Sequence, residues 1–197
     1  MGSNNIFHVT ICDFCSKRFG FQLGNKSPIS SMHNCFNFEI KIETKEMIVK
    51  PATINDAKEM HNIHTNAVRK TCKDFYTQKQ IDAWLEGRTP EGYNEGINKG
   101  DMYVAEEDGK IVGFGHAIPG EIVAIFVDTT SHKKGIGKLL LDYGLKIALK
   151  GHQKVKVEST VNAEGFYKKH GFVKIRDDVH VKRGVESPIV VLEYSAT

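Results

Sequence analysis

No run of apolar residues in this chain approaches the length of a membrane span, so a spanning helix is not expected. The opening MGSNNIFHVTIC lacks the basic start and small-residue cleavage site of a secretory signal. Gly2 follows Met1, but Ile6 stands where a myristoylation signal wants Ser or Thr. An excess of one charge is also missing: 27 basic and 24 acidic residues leave a net +3, which argues against a nucleic-acid partner. Cysteine is scarce, with 4 in the chain, too few to read as a disulfide framework without a secretory signal. The expectation is a cytoplasmic protein whose cysteines are reduced thiols or metal ligands. No internal repeat or low-complexity tract is present.

What is there is ordinary globular composition, 40% hydrophobic and 26% charged, in 197 residues. That length suits one domain with an appendage. Two segments of different character meet near Glu46. Residues 1–45 hold three of the four cysteines and a Gly/Asn/Ser/Pro-containing stretch from Gly24 to Ser31. From residue 46 to 197 the hydrophobic pattern is regular.

MIVKPAT reads as a strand ending at Pro51. Thr53 then starts a helix, with Asp56 completing an approximate capping box and Ala57, Met60, Ile63, Ala67 and Val68 forming its buried stripe. A second short helix runs through QKQIDAWLEG to Gly87. Asp108-Gly109 is a strong two-residue hairpin signal between MYVAEE and KIVGFGHA. EIVAIFVD is a central strand. The helix after it carries Ile136, Leu139, Leu140, Tyr143 and Ile147 on one face. KVKVEST is a strand, Asn162 to His170 a short helix, and GFVKIRD and SPIVVLEY close the chain as a hairpin. The order implies an α/β protein with a mixed sheet flanked by helices. It names no function by itself.

The informative stretch joins the central strand to its following helix: Val127-Asp-Thr-Thr-Ser-His132-Lys133-Lys134-Gly135-Ile136-Gly137-Lys138. The first N–H groups of a helix lack intrahelical partners and carry partial positive charge. Glycines let that backbone approach a phosphate. A dinucleotide fingerprint would need glycine at Leu140, and a P-loop would need glycine at His132 and Ser or Thr at Leu139. Neither pattern is met. His132 to Gly137 resembles instead the pyrophosphate signature of the GNAT superfamily of N-acetyltransferases, Gln/Arg-x-x-Gly-x-Gly/Ala, with His at the first position. Ser159-Thr-Val-Asn162-Ala-Glu-Gly-Phe166-Tyr167-Lys-Lys-His-Gly171-Phe172 resembles the second GNAT hallmark, an Asn followed by Phe-Tyr-x-x-x-Gly-Phe. The Asn-to-Tyr interval is two residues shorter than in its commonest version.

The resemblance implies a GNAT fold, mostly antiparallel, and transfer of an acetyl group from acetyl-CoA to a primary amine in a ternary complex. It implies that the backbone of Ile125, Phe126 and Val127 pairs with the pantetheine arm, like an added strand. The turn formed by His132, Lys133, Lys134, Gly135, Ile136, Gly137 and Lys138 would hold the pyrophosphate, and Asn162 the pantetheine. Tyr167 would lie near the thioester sulfur as the acid, with aromatic packing as its alternative role. Glu121 stands where the histone-acetyltransferase branch carries its basic glutamate and is the candidate base, with His116 in reserve. A CoA-binding regulatory or interaction protein, docking through its N-terminal segment, is the alternative. The acceptor amine, whether small molecule or protein, is not legible, and neither is the oligomeric state, a homodimer included.

Cys72 lies in RKTCKDFYT, ahead of Tyr76, Ile81 and Trp84. That pattern resembles GNAT subfamilies in which the region lines the acceptor pocket, although a buried thiol is the simpler reading. Cys12-Asp-Phe-Cys15 and His33-Asn-Cys35 suit a closed structural Zn²⁺ site in a segment too short for its own core. An ordinary extension with reduced thiols is the other reading. Elemental analysis of the full chain, purified without chelator, should find about one zinc per chain, lowered by Cys12→Ser. Zinc-free protein with unchanged folding would discard the site.

Overall fold

The computed structural model describes residues 47–131 and 135–196, all within the unit Glu43–Thr197. The predicted zinc ligands Cys12, Cys15, His33 and Cys35 and the turn residues His132, Lys133 and Lys134 lie outside the described residues. Among those described, no cluster of three or more His, Cys, Asp or Glu could hold a metal. No described helix is long and apolar enough to cross a membrane.

Seven strands form one sheet: β1 (Met47–Pro51), β2 (Met102–Glu107), β3 (Lys110–Ile118), β4 (Glu121–Val127), β5 (Lys154–Thr160), β6 (Val173–Lys182) and β7 (Val185–Ser195). Their order is β1-β2-β3-β4-β5-β7-β6. Every neighbouring pair is antiparallel except β4 and β5. One face carries α1 (Ala57–Thr71), α2 (Gln78–Leu85) and α3 (Asn94–Lys99). The other carries α4 (Ile136–Ala148) and α5 (Glu164–Lys169). This is the α/β architecture expected from the element order.

Local chemistry explains the element ends. The Asp56 carboxylate accepts from the backbone N–H and hydroxyl of Thr53, both at 2.8 Å, through a 3₁₀ turn (Ile54–Asp56) that precedes α1. Thr77 and Gln80 form a capping box at the start of α2. Asp108 and Gly109 take φ of 52° and 76°, the left-handed pair that a two-residue hairpin needs. The sequence reading missed a 3₁₀ turn at Pro90–Tyr93 and α3, both too short for a periodic signal.

One expected face is offset. The buried side of α4 runs Ile136, Leu140, Leu141, Gly144 and Ala148, while Leu139 is 42% exposed and Tyr143 and Ile147 sit at the margin. The cause is Tyr103, fully buried on β2. A Cβ on Gly144 would lie 2.2 Å from its hydroxyl, and one on Gly115 would lie 2.3 Å from its Cζ. Two glycines thus leave room for one ring, and α4 turns Gly144 toward it. Size decided that face, not hydrophobicity.

Candidate active site

The site begins where two parallel strands part. Pairing between β4 and β5 covers Glu121↔Lys156 and Ile122↔Val157 and then stops. At that point β4 bulges: Ile122 opposes Ala117 and Ala124 opposes His116, leaving Val123 as the extra residue. Further on, Asp128 donates its N–H to Val112 at 2.9 Å. Alternation along an antiparallel ladder then directs Phe126 to β3 and turns the N–H and C=O of Ile125 toward β5, which has moved away. A strand edge is left open inside the sheet.

Side chains from β4, β5, α5, β6, β7 and α2, and from the turns beside them, line the resulting cleft of about 440 Å³. The β4 wall is Glu121 with Val123 to Phe126, and β5 adds Glu158, Ser159 and Thr160. Ala163 and Tyr167 form the floor, and His180, Lys182, Ser187 and Ile189 come from the β6–β7 hairpin. Tyr76, Gln80, Trp84 and Arg88 cover it from the α2 side. Tyr76 fastens this cover: its hydroxyl donates to the Pro188 carbonyl at 2.8 Å and accepts from the Val161 N–H at 3.0 Å. Gln80 adds a bond from Nε2 to the Glu186 carbonyl at 2.7 Å.

Behind the wall, His64 stacks on Phe126 with ring centres 4.1 Å apart, and its Nδ1 pairs with the Tyr93 hydroxyl at 2.9 Å. Burial first, then the field of Arg88, His61 and Lys182, holds its pKa down to about 3, so it is a neutral packing group. Tyr167 is 5% exposed, and burial pushes its phenol well above the ordinary tyrosine range. It stays a proton donor at neutral pH. Glu121 is 31% exposed, with the Lys156 ammonium 4.0 Å from its Oε1; the same ammonium pairs with Glu158 at 2.9 Å.

At the far end of β4, Gly135 takes φ +80° and caps α4, and Leu139 N–H bonds back to its carbonyl at 3.1 Å. Among the described residues, the N–H groups of Ile136, Gly137 and Lys138 receive no backbone acceptor. They are first-turn donors of a helix of 13 residues.

Residues 72–187 match the model of the acetyltransferase (GNAT) domain family. The chain belongs to the GNAT acetyltransferase family. The uncharacterised N-acetyltransferase YafP of Escherichia coli is 26% identical over 121 residues, 61% of this chain and 77% of that protein. A GCN5-related N-acetyltransferase structure from Rhodopseudomonas palustris superposes with TM-score 0.66 at 21% identity, covering 76% of this chain and 95% of that one. PaiA N-acetyltransferase of Thermoplasma acidophilum, solved with coenzyme A, gives TM-score 0.61 at 20% identity over 77% and 99% of the two chains.

As a GNAT member the protein is an acyltransferase, and the cleft sorts the predicted residues. Tyr167, Glu121, Ile125 and Phe126 line it together; Val127 ends β4 just beyond. Asn162 does not line it: its Oδ1 accepts from the Cys72 thiol at 3.6 Å. Lys138 is drawn into an ion pair with Asp142 at 2.5 Å. His116 faces α3 rather than the cleft, its Nε2 3.8 Å from where a Gly96 Cβ would stand, and burial lowers its pKa. Cys72 is buried, its thiol pushed up by desolvation, while Tyr76 and Trp84 reach the cleft and Ile81 is core. Sequence reading missed Lys156 and Glu158. The alternation of KVKVEST, polar on every second residue, marked that face.

Proposed function

We propose that this GNAT acyltransferase moves an acetyl group from acetyl-CoA to a primary amine by direct attack, both substrates meeting where β4 and β5 part. The observation that carries the reading is the end of the β4–β5 ladder at Ile122 and Val157, with Tyr167 and Glu121 lining the opening. The open N–H and C=O of Ile125 suit an extended amide-bearing arm, added as a strand. The first-turn donors of α4, entered through the left-handed Gly135, suit a pyrophosphate. His132, Lys133 and Lys134 are proposed to complete that turn.

The acceptor nitrogen attacks the thioester carbonyl; its C–N bond forms as the C–S bond breaks. Glu121 takes the proton released by the amine, directly or through water. The departing sulfur takes a proton from Tyr167, which burial keeps protonated. The CoA moiety supplies only the activated acyl group; the chain supplies alignment and two proton-transfer groups.

Calorimetric titration should show acetyl-CoA binding at micromolar strength to the native protein. Gly135→Glu should abolish it while Gly135→Asn, which tolerates positive φ without charge, should weaken it modestly. Absence of binding by the folded native chain would refute the cofactor assignment. Tyr167→Phe and Glu121→Gln should keep acetyl-CoA affinity and lower kcat about a hundredfold each in a CoA-release assay. Full activity of either variant would strike that residue from the mechanism.

A further inference from the structure

Two cations stand at the rim of the cleft and share one acceptor. Arg88 donates Nε–H to the Trp84 carbonyl at 3.0 Å, and Lys182 donates Nζ–H to the same oxygen at 2.7 Å. Both line the cleft, and both are half-buried. Trp84 lies in the last turn of α2, whose C-terminus offers about half a unit of negative charge. Arg88 also meets the Tyr93 hydroxyl, a neutral group, so two full positive charges face only a fraction of one negative charge. Among the described residues, neither cation forms an ion pair with a carboxylate, whereas the neighbouring Arg183 pairs with Glu86 at 3.4 Å. His180, two positions from Lys182 on the same face of β6, also lines the cleft there.

The charge is felt in the interior. Burial, then Arg88, then Arg183 lower the Lys182 pKa, and the Arg88 and Lys182 charges both act on His64. Half-burying two cations side by side with no carboxylate beside them is unfavourable and is relieved by an anion. The other end of the cleft carries the opposite sign, with Glu121 and Glu158 sharing the single ammonium of Lys156. The cleft is therefore polarised: acidic where the β4 strand begins, basic under α2 and the β6–β7 hairpin.

We propose that Arg88 and Lys182 form a carboxylate-binding subsite, so that the acceptor is an amine carrying a carboxylate at its other end. The proposal rests on the acetyl-transfer reading of the cleft and names its substrate class. The Arg88 guanidinium matches a planar carboxylate through its unused N–H groups, and Lys182 adds a second charge-assisted bond. The acidic end attracts the ammonium of the same molecule and repels amines that are anionic throughout.

The probes are ω-amino carboxylates of increasing chain length, each beside the alkylamine of equal length. Their binding to the full chain is followed by calorimetry, and their acetylation by CoA release. At least one carboxylate probe should bind about tenfold or more tighter than its alkylamine. Lys182→Met and Arg88→Gln should each remove most of that preference, and Lys182→Arg should retain it. If Arg88→Gln does not fold, the two Lys182 variants carry the comparison. Equal affinity for both probe types, or no binding of either, would overturn the subsite. So would an undiminished preference in variants that merely melt lower, because the cations would then only cap α2. Acetylation of alkylamines as fast as amino carboxylates would reject the subsite and leave acetyl transfer standing. Carboxylate preference in binding without CoA release from any probe would uphold the subsite and reject acetyl transfer.

Discussion

The departure of β5 from β4 after Ile122 is the constraint on which the rest of this molecule depends. A parallel pair normally continues as long as both strands last, because each unpaired backbone group loses about 1 kcal/mol or more when shielded from water. Here the pair stops after two residues on each side, and the structure replaces the lost support from elsewhere. The bulge at Val123 bends β4 away. Tyr76 holds α2 to β7 and to the turn before α5, so both flanks of the opening are fixed by one hydroxyl. Tyr167 lines the opening, and Phe166 packs edge to face on it with ring centres 5.1 Å apart. The opening is built in, not left over.

Its electrostatics follow from the same geometry. Once α2 covers the gap, polar groups that would otherwise face solvent are brought together at intermediate burial. Lys156 compensates two carboxylates, whereas Arg88 and Lys182 share a helix carbonyl and Arg88 also meets the neutral Tyr93 hydroxyl, with no carboxylate paired to either among the described residues. The contrast separates cations paired with carboxylates from cations held by neutral oxygens. Tyr167 and His64 show burial acting on two titratable rings in opposite directions of pKa but to the same end. Each is kept neutral, one as a donor in the cleft and one as packing behind Phe126.

Features written in short stretches of chain were legible in the sequence. Asp108-Gly109 announces its hairpin because the turn needs positive φ at adjacent positions. Gly135, the Phe166-Tyr167 pair and the apolar β4 run carry the family resemblance within short stretches of sequence. The face of α4 was misplaced because periodicity counts apolar residues and is blind to Tyr103, whose ring selects Gly144 instead. The meeting of Asn162 with Cys72, 90 positions away, has no mark in the local sequence. The basic rim was invisible for a related reason: Lys182 meets Trp84 across 98 positions, and no local pattern records such a meeting. Local rules reach as far as local contacts.

The central claim is that the open edge of β4 receives the pantetheine arm as a strand. Hydrogen–deuterium exchange of the full chain, with and without saturating acetyl-CoA, tests it most directly at the amides of Val123 to Phe126. The account predicts that exchange at Ile125 slows about tenfold or more on binding, while Phe126, already directed to β3, changes little. Saturated protein in which Ile125 exchanges as fast as in the free chain would contradict it, and the cofactor would have to enter by another route.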